Sequence, residues 1–142
     1  MKKDSITRFS ISMAGDLVRQ LDLMSQEKGF ANRSQAVADM VRARLVEHYG
    51  QKGDSEIAGT ITLVYDHHRR NIQGLLTDIQ HDHGDVIIAT MHVHLDHHNC
   101  MEVLAVRGRA DAIKQVADNL IAAKGVKHGK LTVTTTGEEF EK

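Results

Sequence analysis

Hydrophobic and polar residues alternate in the first part of the chain, and a helical period then replaces the alternation. The period of two over residues 7–13 predicts a strand with one apolar face, and its polar face consists of Arg8, Ser10 and Ser12. Apolar residues at helical spacing then predict a helix that ends near Gly29. Asn32 offers a cap for a second helix, whose inner stripe comprises Val37, Met40, Val41 and Leu45.

This strand–helix–helix segment of about fifty residues is too small to bury its apolar faces alone. We therefore expect two copies to pair their strands antiparallel, which would expose the polar faces on a two-stranded ribbon. Such a ribbon fits the major groove of DNA. The polar pattern is equally compatible with an ordinary solvated strand face, and the two helices that follow favour the DNA-binding interpretation.

The pattern changes in the second part of the chain to the order βαββαβ. Strands are predicted at about 57–65, 86–95, 101–107 and 131–136. The fold class is thus α+β, and the second domain is ferredoxin-like, with both helices on one face of a four-stranded antiparallel sheet. The other face is open for a further association. The predicted domains are residues 1–50 and 57–142, joined by a polar linker over 51–56.

Composition narrows the class of protein. A chain of 142 residues with 41% hydrophobic and 26% charged residues is typical of a folded globular protein. The amino terminus lacks the apolar stretch of a signal peptide, and no apolar run approaches the roughly 20 residues that span a bilayer. We therefore expect a cytoplasmic protein with no membrane partner. The formal net charge is +2 over residues 1–50 and −3 over the remainder.

Histidines are concentrated in one part of the chain, since eight of the ten lie between His67 and His98. His92 and His94 are two residues apart on a predicted strand, so their imidazoles project from one face. If residues 95–99 form the following loop, Cys100 lies across from His94, with Cβ atoms roughly 5 Å apart. His81 is a possible fourth ligand. Imidazole and thiolate donors exclude calcium and magnesium and leave zinc, copper, nickel or cobalt.

With both halves in view, the chain resembles the NikR family of nickel-responsive transcriptional regulators, which join a ribbon-helix-helix DNA-binding domain to a regulatory domain of ACT type. The resemblance covers nearly the whole chain. In the first half it depends on R-F-S-I-S-M and G-F-A-N-R-S-Q-A-V. In the second it depends on V-Y-D-H, I-Q-H-D-H, M-H-V-H-L-D-H-H-N-C-M-E-V and G-V-K-H-G. The most specific element is H-V-H with a Cys six residues after the second His.

The resemblance implies a planar Ni(2+) site between subunits, with His92, His94 and Cys100 from one subunit and His81 from another. It implies a homotetramer in which two ribbon-helix-helix dimers flank the regulatory core. Arg8, Ser10 and Ser12 match ribbon positions that contact bases, although the family often has Thr at the two serine positions. Tyr65, His67 and Glu102 match positions that support the nickel site. Arg69 and Lys124 match loop positions that can contact DNA phosphates.

One departure from the family concerns a second cation between the two domains. Gln35 occupies a position where family members often have Glu, which together with Asp39 would help to hold that cation. Gln lacks the negative charge, so the second site is in doubt in this chain.

The leading hypothesis is a nickel-dependent DNA-binding regulator, not an enzyme, that represses nickel-uptake genes through a palindromic operator. Two alternatives use the same His/His/Cys site without DNA. One is a hydrolase or redox enzyme with an open metal position, for which no catalytic motif is present. The other is a metal-buffering protein whose first domain serves only for oligomerisation.

Overall fold

The computed structural model describes residues 5–50, 53–138 and 140, and the chain divides into two compact units between Val41 and Arg42. The elements are α1 (Gly15–Glu27), α2 (Arg33–Gly50), β1 (Glu56–Asp66), α3 (Ile72–Asp82), β2 (Ile87–His94), β3 (Asn99–Arg109), α4 (Ala110–Ile121) and β4 (Val126–Thr134). The predicted linker over 51–56 includes Glu56, the first residue of β1, and residues 51–52 fall outside the described part of the chain. The domain limits themselves stay a prediction.

The end of α1 and the start of α2 lie where their local signals predict. Gly29 has φ +75°, the left-handed conformation that closes α1 at little cost. The Asn32 side chain caps α2, since its Oδ1 accepts the Gln35 backbone N–H at 2.8 Å. Arg33 donates two hydrogen bonds of 2.7 Å to the Asp22 carboxylate, which ties the start of α2 to α1.

The predicted ribbon strand is not present in the single chain. Residues 5–14 form neither helix nor strand. A strand needs a partner for its backbone hydrogen bonds, and the prediction assigned that partner to a second copy. The apolar side chains of the segment lie in solvent, with Phe9 74% and Ile11 57% exposed. The ribbon strand therefore stays a prediction for two paired copies.

The second unit has the predicted ferredoxin-like architecture. Its four strands form one sheet in the order β2-β3-β1-β4, and every neighbouring pair is antiparallel. Alternate residues of β1 and β3 are buried, so one face of the sheet packs against the helices. The fully buried core includes Ile61, Leu63, Leu104, Ile113 and Leu120.

A β-bulge interrupts β2 near its start. Ile87 pairs with Val106 and Ala89 pairs with Ala105, so the register shifts at Ile88, which is 65% exposed. Beyond the bulge, Thr90, His92 and His94 share the helix-covered side of the sheet. The opposite side of β2 carries Ala89, Met91 and Val93.

The fourth strand begins earlier than predicted. β4 starts at Val126, just after Gly125 with φ +106°, whereas the pattern indicated a start at 131. The polar residues of the first half of β4 hide its alternation, and backbone pairing with β1 defines it instead: His128 pairs with Val64 and Lys130 with Thr62.

Candidate metal centre

The centre lies where the β2–β3 hairpin closes. His94 pairs with Cys100 and His92 pairs with Glu102 across the two antiparallel strands. Directly opposed residues project to the same face, so all four side chains share the helix-covered side. The predicted opposition of His94 and Cys100 is confirmed.

Cys100 is the buried end of the cluster, with 0% of its surface exposed. Its Sγ lies 3.1 Å from His67 Nδ1 and 3.5 Å from His94 Nδ1. The ligand atoms of these three residues all lie within 4.8 Å of one another. A thiol and two imidazoles at this separation can bind one ion at about 2.0–2.3 Å from each donor after small side-chain rotations.

His67 enters the cluster from the turn that follows β1. Its backbone N–H donates to the His98 carbonyl at 3.1 Å, which joins this turn to the β2–β3 loop. Tyr65 pairs with Cys100 in the sheet, so His67, two residues after Tyr65, lies close to the thiol. The sequence allowed His67 only as a weaker ligand or a supporting residue, and the structure brings its Nδ1 to 3.1 Å from the sulfur.

His92 is exposed and is held next to the cluster by a partly buried polar network. Its Nδ1 lies 3.3 Å from the Tyr65 hydroxyl, and its ring centroid lies 5.2 Å from that of His94. The Tyr65 hydroxyl donates to Glu102 Oε2 at 3.0 Å. Glu102 Oε1 accepts from Gln80 Nε2 at 2.9 Å, which extends the network to α3. These contacts can orient an imidazole beside a metal.

The sequence reasoning missed Gln80, although a signal was present. Ile72 and Leu76 are buried residues of α3, and Gln80 continues their spacing of four along the same helix face. A polar residue at the next position of a buried stripe requires a hydrogen-bond partner, which here is the Glu102 carboxylate.

His81, the predicted fourth ligand, lies in the last turn of α3 and is exposed. In the described part of the chain, the three-residue group that can hold a metal comprises His67, His94 and Cys100, without His81 or His92. A fourth donor from a second subunit therefore stays a prediction.

Burial sets the protonation of the cluster. Removal from water raises the pKa of the Cys100 thiol, and the negative charges of Asp66, Asp96 and Glu102 add to this effect. Desolvation also lowers the pKa of His67, with repulsion from His68 and His94 as a further cause. The metal-free site thus favours a neutral thiol and a neutral imidazole. A bound ion must displace the thiol proton.

The donor chemistry fits nickel. Sulfur and imidazole nitrogen are the ligands that borderline and soft transition metals prefer. Calcium and magnesium are hard cations that prefer oxygen ligands, so they bind weakly to this donor set. Cys100 would supply the sulfur, and His94 with either neighbouring histidine would supply nitrogens. When bound, such an ion provides a fixed positive charge and a crosslink among its ligands.

The residues predicted to contact DNA are exposed in the structure. Arg8, Ser10 and Ser12 lie in the segment without secondary structure. Arg69 and Lys124 belong to two different loops that approach each other. A Cβ added to Gly125, the neighbour of Lys124, would lie 3.3 Å from Cδ of Arg69.

Gln35 has a structural role at the start of α2. Its Oε1 accepts the Ala31 backbone N–H at 2.7 Å, while its own N–H donates to Asn32. The arrangement is similar to a capping box but displaced by one residue, because the Gln35 side chain bonds to Ala31, which precedes the cap residue Asn32.

A ferredoxin-like sheet with a cluster of one buried thiol and two imidazoles at the end of one hairpin defines a metal-binding domain. Residues 58–134 match the family model described as the NikR C-terminal nickel-binding domain. A nickel-responsive regulator of Geobacter sulfurreducens is 54% identical over 133 residues, which cover 94% of this chain and 96% of the relative. A nickel-responsive regulator of Thermococcus onnurineus is 48% identical over 135 residues, covering 95% and 98%. The chain belongs to the NikR family.

The membership decides between the hypotheses of the sequence analysis. The family consists of transcriptional regulators and not of enzymes, and its metal is nickel. The enzyme alternative is thereby set aside. A solved structure of an uncharacterized protein from Thermotoga maritima covers 58% of this chain at 12% identity with a TM-score of 0.48, too distant a likeness to add to the assignment. None of the described helices is long and apolar enough to cross a membrane.

Proposed function

We propose that this chain represses nickel-uptake genes by binding a palindromic operator when it holds Ni(2+) between subunits. The observation that carries the proposal is the opposition of His94 and Cys100 across the β2–β3 hairpin, with His92 next on the same face. Three donors in adjacent positions form most of a four-ligand site. His81 of a partner subunit completes the proposed set.

The proposed assembly is a homotetramer, a dimer of dimers that acts in the cytoplasm. Two features support association. The exposed apolar residues Phe9 and Ile11 leave the first segment without a core of its own. On the open face of the sheet, Met91 is 56% exposed. Apolar surface of this kind is commonly covered by a second copy.

Regulation depends on a difference in DNA affinity between the nickel-bound and the nickel-free protein. A ligand set divided between two subunits, as proposed, restrains their relative orientation once all donors are engaged. That restraint favours the arrangement in which both ribbons reach their half-sites. Arg8, Ser10 and Ser12 contribute base contacts, while Arg69 and Lys124 contribute phosphate contacts, which position the protein without reading sequence. The second cation site would include Gln35 and Asp39. Because Gln35 provides a neutral amide in place of a carboxylate, we do not assign a cation to that site.

A gel-shift titration tests the proposal. DNA duplexes are selected from a random library with the nickel-loaded protein and then titrated with nickel, zinc, copper or no metal. Nickel should give the tightest complex. Arg8→Ala should weaken binding about 5- to 150-fold, as expected for the loss of a base contact of about 1–3 kcal/mol.

Arg44→Ala is the matched control, since Arg44 is an exposed arginine of α2 paired with Glu47. It should bind DNA like the wild type. Failure to recover any duplex that binds in a nickel-dependent way would leave metal buffering as the function. If Arg8→Ala and Arg44→Ala lost the same DNA affinity, Arg8 would have no specific role in DNA binding.

A further inference from the structure

A second β-bulge lies in β4, at the end of the sheet that carries the metal centre. His128 pairs with Val64 and Val126 pairs with Tyr65, so Lys127 is the extra residue between two consecutive pairs. Bulges re-aim a side chain and are common next to functional sites. The bulge thus sets the direction of the Lys127 side chain.

Lys127 reaches the strand that carries the thiol. Its Nζ donates a hydrogen bond of 2.6 Å to Asn99 Oδ1. Asn99 is the first residue of β3 and pairs with Asp66 of β1, the strand that lies between β3 and β4 in the sheet. The contact therefore spans two strand spacings, about 10 Å, across the end of β1. Because Asn99 directly precedes Cys100, the ammonium is bound to the neighbour of the buried ligand.

Asn99 also closes the β2–β3 loop. Its carbonyl accepts the Leu95 N–H at 2.9 Å, and its Nδ2 donates to the two Asp96 carboxylate oxygens at 3.2 and 3.0 Å. The amide nitrogen thus faces a carboxylate and the amide oxygen faces an ammonium, which are the partners that each can use. Hydrogen bonds to charged groups are stronger than those between neutral groups. These bonds join the hairpin of the metal ligands to the start of β4.

The start of β4 is close to a residue with a proposed role in DNA binding. Lys124 lies three residues before Lys127, in the loop between α4 and β4. Gly125 packs so tightly that an added Cβ would lie 2.8 Å from Cδ1 of Ile72. A restraint on Lys127 can therefore reach Lys124 through a short and closely packed segment.

We infer that Lys127 is a positioning residue that couples the nickel centre to the phosphate contact of Lys124, and this inference rests on the proposed function. When Cys100 and His94 hold the ion, both strands of the hairpin are fixed. Through Asn99 and Lys127 the restraint extends to the loop of Lys124. That loop then loses less conformational entropy when it contacts the DNA backbone.

Linked titrations of nickel and DNA test the coupling. The duplex recovered in the gel-shift selection is titrated with nickel-loaded and with metal-free protein, and the ratio of the two dissociation constants is the coupling factor. By linkage, the duplex must raise the nickel affinity by the same factor. Lys127→Met keeps the length of the side chain without its charge or donor, and it should reduce the factor about 2- to 30-fold in both titrations. The sulfur-to-nickel absorption band should be retained.

A double-mutant cycle with Asn99→Ala shows whether the lysine acts through the amide. Lys127→Met should reduce the coupling factor in the wild type and leave it unchanged in the Asn99→Ala background. Lys127→Arg keeps a charged donor and should retain the factor. A direct contact of Lys127 with a phosphate would instead weaken DNA binding equally in both backgrounds and reduce its salt dependence, and that result would overturn the inference.

Lys114→Met is the matched control, because Lys114 is an exposed lysine in the first half of α4. It should keep the coupling factor of the wild type, and a loss equal to that of Lys127→Met would count against the inference. If Lys127→Met kept the full factor, the inference would be wrong and the proposed function would stand. A wild type with a coupling factor of one would overturn both.

Discussion

Replacement of Cys100 by alanine separates the structural role of the thiol from its role as a ligand. The residue is fully buried, so the lost sulfur leaves a small cavity in the metal-free protein. One buried atom of this size contributes about 1 kcal/mol to the free energy of unfolding. Nickel at one hundred times its dissociation constant adds about 2.7 kcal/mol to the wild type by mass action. The variant should thus be less stable by about 1 kcal/mol without nickel and by about 4 kcal/mol with it.

Urea unfolding with and without nickel measures both differences, and the sulfur-to-nickel absorption band gives an independent signal. Val106→Ala is the control, since Val106 is buried on the same strand and the same face but away from the cluster. It should lose about 2 kcal/mol in both conditions and keep the whole nickel increment. If Cys100→Ala kept the nickel increment or the band, the sulfur would not be a ligand and the assignment of the centre would be wrong.

Two further predictions concern other contacts. Tyr65→Phe removes the hydrogen bond to buried Glu102, which should cost about 1–3 kcal/mol of stability; nickel affinity should fall about tenfold with the absorption band retained, because the hydroxyl also orients His92. Unchanged affinity in a nickel titration would show that the hydroxyl has no such role. The pKa of Asp22 is lowered by its hydrogen bonds from Arg33, so its contribution is present above the ordinary carboxyl pKa and is lost as the pH falls through the lowered value. Thermal unfolding of metal-free wild type and Asp22→Asn should therefore differ at pH 6 and converge in acid, and a constant difference would contradict the ion pair.

The regulatory domain was the most predictable part of the chain, because its strands and helices have strong periodic patterns. The strand order and the opposition of His94 and Cys100 follow from the βαββαβ order and the length of one loop. The first half of β4 was missed since Lys127, His128 and Lys130 carry no apolar signal, and its pairing partner lies far away in the sequence. Long-range backbone pairing of this kind cannot be read from local periodicity.

The candidate site was predictable in its donors but not in its arrangement. Spacing along β2 placed His92 and His94 on one face, yet it could not show that His67 approaches the sulfur more closely than His92. That proximity depends on the turn after β1 and its hydrogen bond to the next loop, a tertiary contact. The ribbon strand is different in kind, because its structure depends on a second copy of the chain.

The bulge at Ile88 gives β2 a reserve of one residue. Ile87 lies opposite Val106 and Ala89 lies opposite Ala105, so Ile88 is the extra residue between two consecutive pairs. Deleting Ile88 would leave Ile87 on the core side and both imidazoles on the side of the thiol, and the ligand set should survive. An insertion between Ala89 and His92 would instead shift the imidazoles by one position, which would turn them to the side away from the thiol.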